Sequence, residues 1–279
     1  MKTKVILEFG CNHQGDERIA QHMTEAAADI GVWAVKYQKR DVEGMPAAVG
    51  NAPRDPDKDF GATYREHRRA LEFSIDQLKR MRNIARKKGL AFGVTAHDVA
   101  SLAQLLEMDV EFVKLPSQSY SHYAMNQLLF NQRKVKTMVS TGMHDLGEIL
   151  NWQYFGSADY TMYCRSAYPA DPVAVTLSWM MEIAEALKLK KSSSAVGYSS
   201  HEVGGKSIKA AVLIGAKVIE RHFTLDKKMK GHDHATVSSD PEEMKRIMDD
   251  IREAERMLGD PVDALTADEL AVRKAFRWF

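Results

Sequence analysis

Cysteine is almost missing from this chain: of 279 residues, only Cys11 and Cys164 are cysteines. Two thiols are too few for a disulfide framework, which excludes a small disulfide-stapled secreted scaffold. Excess charge is missing as well. The 39 basic and 38 acidic residues leave a net charge of +1, so no strong field invites nucleic acid or an anionic membrane surface. No stretch approaches the roughly 18 apolar residues of a spanning helix. The opening "MKTKVILEFGCNHQG" is also too short in its apolar run to read as a signal peptide. The cytoplasm is the expected location. A glycine-rich dinucleotide fingerprint is lacking too, because "GCNHQGD" has the wrong spacing after the first strand candidate.

What the chain has is alternation. Its 44% hydrophobic and 28% charged residues suit a globular protein with a substantial core. Short β-branched or apolar runs are expected as strands at 4–10, 34–38, 90–96, 111–117, 136–142, 160–166, 194–200 and 216–223. Amphipathic stretches lie between them. In "IDQLKRMRNIARKKG", for example, Ile75, Leu78, Met81, Ile84 and Ala85 share one helical face and Gly89 closes the helix. Near-continuous apolar strands alternating with helices predict a parallel sheet covered by helices. An open doubly wound sheet competes, but eight units in this length match a single-domain α/β fold, the (β/α)8 or TIM barrel, over residues 1–279. One connection, residues 39–74, is too long for a simple crossover and holds three of the eight prolines. It reads as an active-site loop on the catalytic face.

Polar residues close every strand candidate: Glu8, Lys36 with Gln38, Thr95, Lys114 with Ser117, Ser140, Ser166, Ser199 with His201, and His222. One such residue is ordinary capping; all eight strands ending this way point to a site, because the carboxyl ends of barrel strands form the catalytic face. Two lysines and several hydroxyls suit an anion with many oxygens, such as a phosphate with a carboxylate. Neutral imidazoles at His201 and His222 could hold a divalent metal and leave positions open. Glu8 could orient water or transfer a proton. Three histidines, His222, His232 and His234, crowd the eighth strand and the loop after it. The expected division has His222 facing the mouth and the other two decorating the loop, with Asp233 as a hydrogen-bond acceptor. His67 and His122 read as helix-surface residues, His13 as support for the site, and Cys11 as a small buried thiol.

Seven motifs in order carry a resemblance: "EFGCNHQGD", "AVKYQ", "EFVKLPSQS", "VSTGMHDLGEI", "SAYPADP", "VGYSSHEVGG" and "GAKVIERHFTLDKKMKGHDHATVS". Together they make the chain resemble the sialic acid synthase (N-acetylneuraminate synthase) family. The resemblance implies a metal-dependent condensation of phosphoenolpyruvate with an aldose or amino sugar, giving a nonulosonic, 2-keto-3-deoxy sugar acid and phosphate. It implies that Lys36, Thr95, Lys114, Ser117, Ser140, Ser166 and Ser199 hold phosphoenolpyruvate, and that His201 and His222 hold Mn2+ or Mg2+. It places Glu8, Gln38, Tyr168 and Asp233 around the acceptor sugar and the reacting carbons, with Glu8, Lys36 and Asp233 as the catalytic set. Two departures stand out. Ser119 occupies the acceptor-contacting position where the family pattern has a glutamate, which puts the acceptor's identity in question. The chain also stops at "AVRKAFRWF", where the usual members continue into a small antifreeze-like domain, so it is expected to be a barrel-only member without a second domain. Phe276, Trp278 and Phe279 are then expected to pack on the barrel or on a second subunit, in a homo-oligomer.

Other classes remain as competitors. A class I aldolase would use Lys36 or Lys114 as a Schiff-base nucleophile, and a catalytically silent sugar-phosphate binding protein would use the same anion site without turnover. The two histidine groups are separable by mutation. His222→Ala is expected to abolish metal-supported turnover with the fold intact, and His232→Ala to change it less than about twofold; comparable losses in steady-state rates would refute the assignment.

Overall fold

The computed structural model describes residues 2–132, 135–259 and 264–276. Eight strands form the sheet: β1 (Lys4–Gly10), β2 (Ala34–Lys39), β3 (Ala91–Ala96), β4 (Phe112–Leu115), β5 (Lys136–Ser140), β6 (Tyr160–Tyr163), β7 (Ala195–Ser200) and β8 (Val218–His222). They close into a barrel in chain order, β8 pairing with β1 and every pair parallel. Strands β4 and β6 end earlier than their sequence runs suggest. Pro116 has no N–H to donate and follows the last residue of β4, so Ser117 begins a 3-10 turn, Ser117–Ser119. Ser166 likewise stands beyond β6.

Alternation along each strand splits the buried residues into two cores. The outward set, including Leu7, Phe9, Val35, Tyr37 and Ile219, packs under the helices against Met23, Ile183 and Ile251. The inward set forms a floor of Ile6, Ala34, Phe112, Met138, Tyr160, Met162 and Val218. Above this floor the inward positions turn polar, and the register sets those residues side by side: Glu8 beside Lys36 and His222, Thr95 beside Lys114, and Ser199 beside Glu220. The apolar layer closes one end of the cylinder and the charged layer opens at the other.

Local sequence rules set the helix ends. Asp16 caps Glu17–Ile30, and Gly31 stops it in the left-handed region. Ser74 and Gln77 form a capping box on Ile75–Lys87. The long connection after β2 is ordered by its own short helices, Ala47–Gly50 and Tyr64–Leu71. Glu72 ties its ends together, accepting from Lys39 Nζ at 2.9 Å and from the Arg40 N–H at 2.7 Å. The C-terminal helix, Ala267–Phe276, buries none of its residues. Phe276 is 72% exposed, so it does not pack on this barrel; Trp278 and Phe279 lie outside the described residues. Among the described residues no helix is long and apolar enough to cross a membrane.

The floor depends on close approach at Gly93, where a Cβ would lie 2.2 Å from the Phe112 ring. That ring stacks on Trp33 with centroids 5.4 Å apart and has no free space to retreat into. Gly93→Ala should therefore cost about 1–3 kcal/mol in urea denaturation, the usual penalty of overpacking.

Candidate active site

A cavity of about 340 Å³ opens at the carboxyl ends of the strands. Its base is an ion network. Lys36 Nζ contacts the Glu8 carboxylate, donates to Thr95 Oγ1 at 2.6 Å and lies 3.7 Å from Glu220 Oε2. Lys114 Nζ donates to Glu220 Oε1 at 2.6 Å. All four charged groups are at most 5% exposed. Burial alone would push the Glu220 carboxyl up, but the two ammonium groups overcome it and hold the group well below the usual carboxylate range. Gln38 Nε2 donates to Glu8 Oε1 at 2.8 Å, orienting that carboxylate.

One wall is a hydroxyl cluster. Ser166 Oγ donates to Ser117 Oγ at 3.0 Å, and Cys164 Sγ lies 3.3 Å from Ser117 Oγ. Gly142 makes this convergence possible, since a Cβ there would stand 2.2 Å from Ser166 Oγ and 2.6 Å from Ser117 Oγ. Ser140 faces the same cavity.

The imidazoles stand opposite. His201 and His222 have ring centroids 5.6 Å apart, and Tyr168 lies 4.4 Å from His201, centroid to centroid. The His201 Nδ1–H donates to the Arg165 carbonyl at 2.8 Å, which leaves the Nε2 lone pair for the cavity. Burial, followed by the neighbouring His222, pushes this ring down to about 3, so it stays neutral. Ser199 Oγ donates to Glu220 Oε1 at 3.1 Å and lies 3.3 Å from His201 Nε2. One hydroxyl proton cannot serve both, so the Nε2 lone pair lacks a committed donor. Among the described residues His222 Nδ1 is buried with no hydrogen-bond partner, 3.6 Å from Asp233 Oδ2. Two rings with uncommitted nitrogens beside a carboxylate fit a divalent cation. Among the described residues no group of three or more His, Cys, Asp or Glu side chains converges on one point, so such an ion would keep open positions.

Behind β7 and β8 a second polar network braces the histidines. Arg221, on the outward face, donates to the Glu202 carbonyl at 2.6 Å and to Ser200 Oγ at 3.0 Å. Glu202 Oε2 in turn accepts from Tyr198 and Ser200, each at 3.0 Å.

Of the residues singled out in the sequence, Glu8, Lys36, Gln38, Thr95, Lys114, Ser117, Ser140, Ser166, Tyr168, His201, His222 and Asp233 line the one cavity. Ser199 sits beneath it, bonded to Glu220. Ser119 does not line it; the 3-10 turn sends Gln118 there and buries Ser119. His67 is no surface residue. It is 3% exposed, lines the cavity and accepts the Phe60 N–H at Nδ1. His234 is anchored as well, its Nδ1 2.6 Å from Thr224 Oγ1 in a short helix, His232–Thr236, within the expected loop. His13 lies behind the site, stacked on Phe73 at 4.1 Å. Cys11 lines the cavity 4.0 Å from Asp233 Oδ2, and burial pushes its thiol up to about 11.

Sequence reasoning missed Glu220 and the loop residues Arg40, Arg54, Tyr64 and Arg68. Glu220 was accessible, because it precedes His222 by two residues and strand alternation points both inward. The arginines carried no such signal; their placement depends on how the long connection folds back.

The NeuB family model matches residues 23–263. The chain is 34% identical over 273 residues to N-acetylneuraminate-9-phosphate synthase of Mus musculus, covering 96% of this chain and 74% of that protein. It is also 34% identical over 294 aligned positions to N,N'-diacetyllegionaminic acid synthase of Legionella pneumophila, covering 99% of this chain and 79% of that protein. Against N-acetylneuraminate-9-phosphate synthase of Drosophila melanogaster it spans 65% of the relative's length. Among solved structures, N-acetylneuraminic acid synthetase from Leptospira borgpetersenii shares the fold. The TM-score is 0.84 at 24% identity, covering 100% of this chain and 94% of that one.

Glu220 is the shared counter-ion of two buried ammonium groups. Glu220→Gln keeps the shape and removes the charge, so it should lower stability by about 3–5 kcal/mol in denaturant titration, the penalty of orphaning a buried ion. Unchanged stability would mean that the two lysines need no counter-ion from β8.

Proposed function

Because the chain belongs to the NeuB family, we propose that it condenses phosphoenolpyruvate with an aldose or amino-sugar acceptor. The products are a 2-keto-3-deoxy sugar acid and inorganic phosphate. The observation that carries this reading is the meeting, in one cavity, of two carboxylate-paired lysines, a hydroxyl wall and two uncommitted imidazoles. Relatives named for sialic and legionaminic acid synthesis support the product class.

Lys36, Lys114, Thr95, Ser117, Ser140 and Ser166 would bind the donor's phosphate and carboxylate through charge-assisted hydrogen bonds, with Ser199 bracing Glu220 below. Gln38, Tyr168 and Asp233 would orient the acceptor. His201 and His222 would hold a divalent cation, Mn2+ or Mg2+, which supplies Lewis-acid polarisation of the acceptor's aldehyde. The donor's methylene carbon attacks that aldehyde carbon; the new carbon–carbon bond forms as the carbonyl oxygen takes up a proton. Water adds to the former enol carbon and gives up one proton, and the carbon–oxygen bond to phosphate then breaks, the departing phosphate taking the second proton, to give the ketone. Glu8, beside Lys36 and held by Gln38, is placed to transfer the proton of that water. Fixing both reactants in one cavity can contribute up to roughly 7–11 kcal/mol.

The Schiff-base alternative is less well served. A nucleophilic lysine works as a free amine in an apolar pocket, whereas Lys36 and Lys114 both end on carboxylates. The test is phosphate release from phosphoenolpyruvate with Mn2+ and a panel of aldoses. Release should depend on one added sugar and stop with chelator, and Lys114→Met should lose at least about a hundredfold in kcat/KM, roughly 2.7 kcal/mol. Borohydride-trapped lysine adducts, or calorimetry showing no phosphoenolpyruvate binding, would overturn the reading.

A further inference from the structure

The donor-side lysines are neutralised by Glu8 and Glu220, but the same cavity holds two guanidinium groups with no carboxylate in ion-pair contact among the described residues. Arg40 stands just past β2 and is 9% exposed; among the described residues no carboxylate lies within ion-pair distance of its side chain. Arg68, on the helix Tyr64–Leu71, donates through Nε to Tyr64 Oη at 2.9 Å, and among the described residues its two terminal nitrogens make no hydrogen bond or ion pair. Elsewhere in the same loop Arg54 Nε lies 2.9 Å from Asp59 and Lys39 Nζ 2.9 Å from Glu72, while Arg65 commits its terminal nitrogens to the carbonyls of Val42, Glu43 and Met45. Both guanidinium groups line this cavity, and burial, followed by the Arg68 charge, pushes Arg40 down to about 10. Burial opposes the Arg68 charge, but Cys11, Tyr64 and then Asp233 on the acceptor side outweigh it and hold its proton more tightly than usual. A half-desolvated pair of like charges costs free energy in the empty site, and an entering oxyanion recovers it through forked hydrogen bonds.

We propose that Arg40 and Arg68 form a second anion subsite for a terminal oxyanion, phosphate or carboxylate, on the acceptor sugar. The inference rests on the condensation reading for the word acceptor, and it narrows the substrate class to sugars charged at the end remote from the aldehyde. The two arginines approach the cavity from the loop after β2, while the donor-binding lysines rise from its base. One acceptor can therefore span them, its aldehyde toward the imidazoles and its charged end under the loop.

The test uses ligands that cannot react. A six-carbon alditol 6-phosphate, the acid obtained by reducing the aldehyde of the matching uronate, and the neutral alditol lack the aldehyde, and their binding to the full chain is read by calorimetry with phosphoenolpyruvate measured separately. The phosphorylated or carboxylated alditol should bind at least about tenfold more tightly than the neutral one. Which of the two prevails identifies the terminal group. The double variant Arg40→Gln/Arg68→Gln should erase that preference, keep phosphoenolpyruvate affinity within about twofold, and melt no lower than wild type because a repulsion has been removed. Equal binding of charged and neutral alditols by wild type would overturn the proposal. So would a variant that loses phosphoenolpyruvate affinity, which would assign the pair to the donor, or one that melts several degrees lower, which would make the pair structural. Absence of phosphoenolpyruvate binding to wild type would refute the condensation reading while the alditol preference still reports on the arginines.

Discussion

Two lysines and two glutamates share the water-poor interior just above the barrel floor, and the rest of the site is arranged around their mutual neutralisation. An isolated ammonium there would carry several kcal/mol of desolvation penalty. Glu8 answers Lys36 from the neighbouring strand, and Glu220 reaches both Lys36 and Lys114 from β8. Closure of the sheet is what allows the last strand to meet the second and fourth across the interior. An open sheet of the same strands would leave at least one lysine without its partner. Exchanging the network for apolar residues could leave stability equal or higher, so its presence is better explained by chemistry than by folding.

The same neutralisation gives the cavity its division of labour. Charges at the base are balanced, so an incoming dianion meets ammonium groups that can be shared rather than a bare positive well. The hydroxyl wall around Gly142 offers donors that rotate to fit. The imidazole pair faces it, His201 held neutral by burial, and the strands that carry the pair are braced from behind by Arg221 and Glu202. The long connection adds Arg40 and Arg68 to the lining of the same cavity. Lysines from the barrel strands and arginines from the loop after β2 thus reach one site from different elements.

The alternation of strands and helices was legible because the backbone repeats of two and 3.6 residues are local properties of the chain. All eight strands appear, with ends moved by a few residues where Pro116 and the serine-rich turns leave the sheet. Most of the inward polar residues were legible for the same reason, since alternation decides which face a strand residue takes. His67 and Ser119 were not. Each belongs to a turn or loop helix whose facing depends on neighbours distant in the chain: His67 is buried by Phe60 and Asp59, and Ser119 is turned away by the 3-10 helix after Pro116.

By itself, then, the order of residues determined a barrel, the end at which it opens, and the chemical character of that opening, because periodicity and residue type are carried by each segment alone. Tertiary structure decided who pairs with whom. Glu220 became the common partner of two lysines, and among the described residues Arg40 and Arg68 have no carboxylate in ion-pair contact, because electrostatic partnership depends on distance in space and on how much water is excluded between the groups.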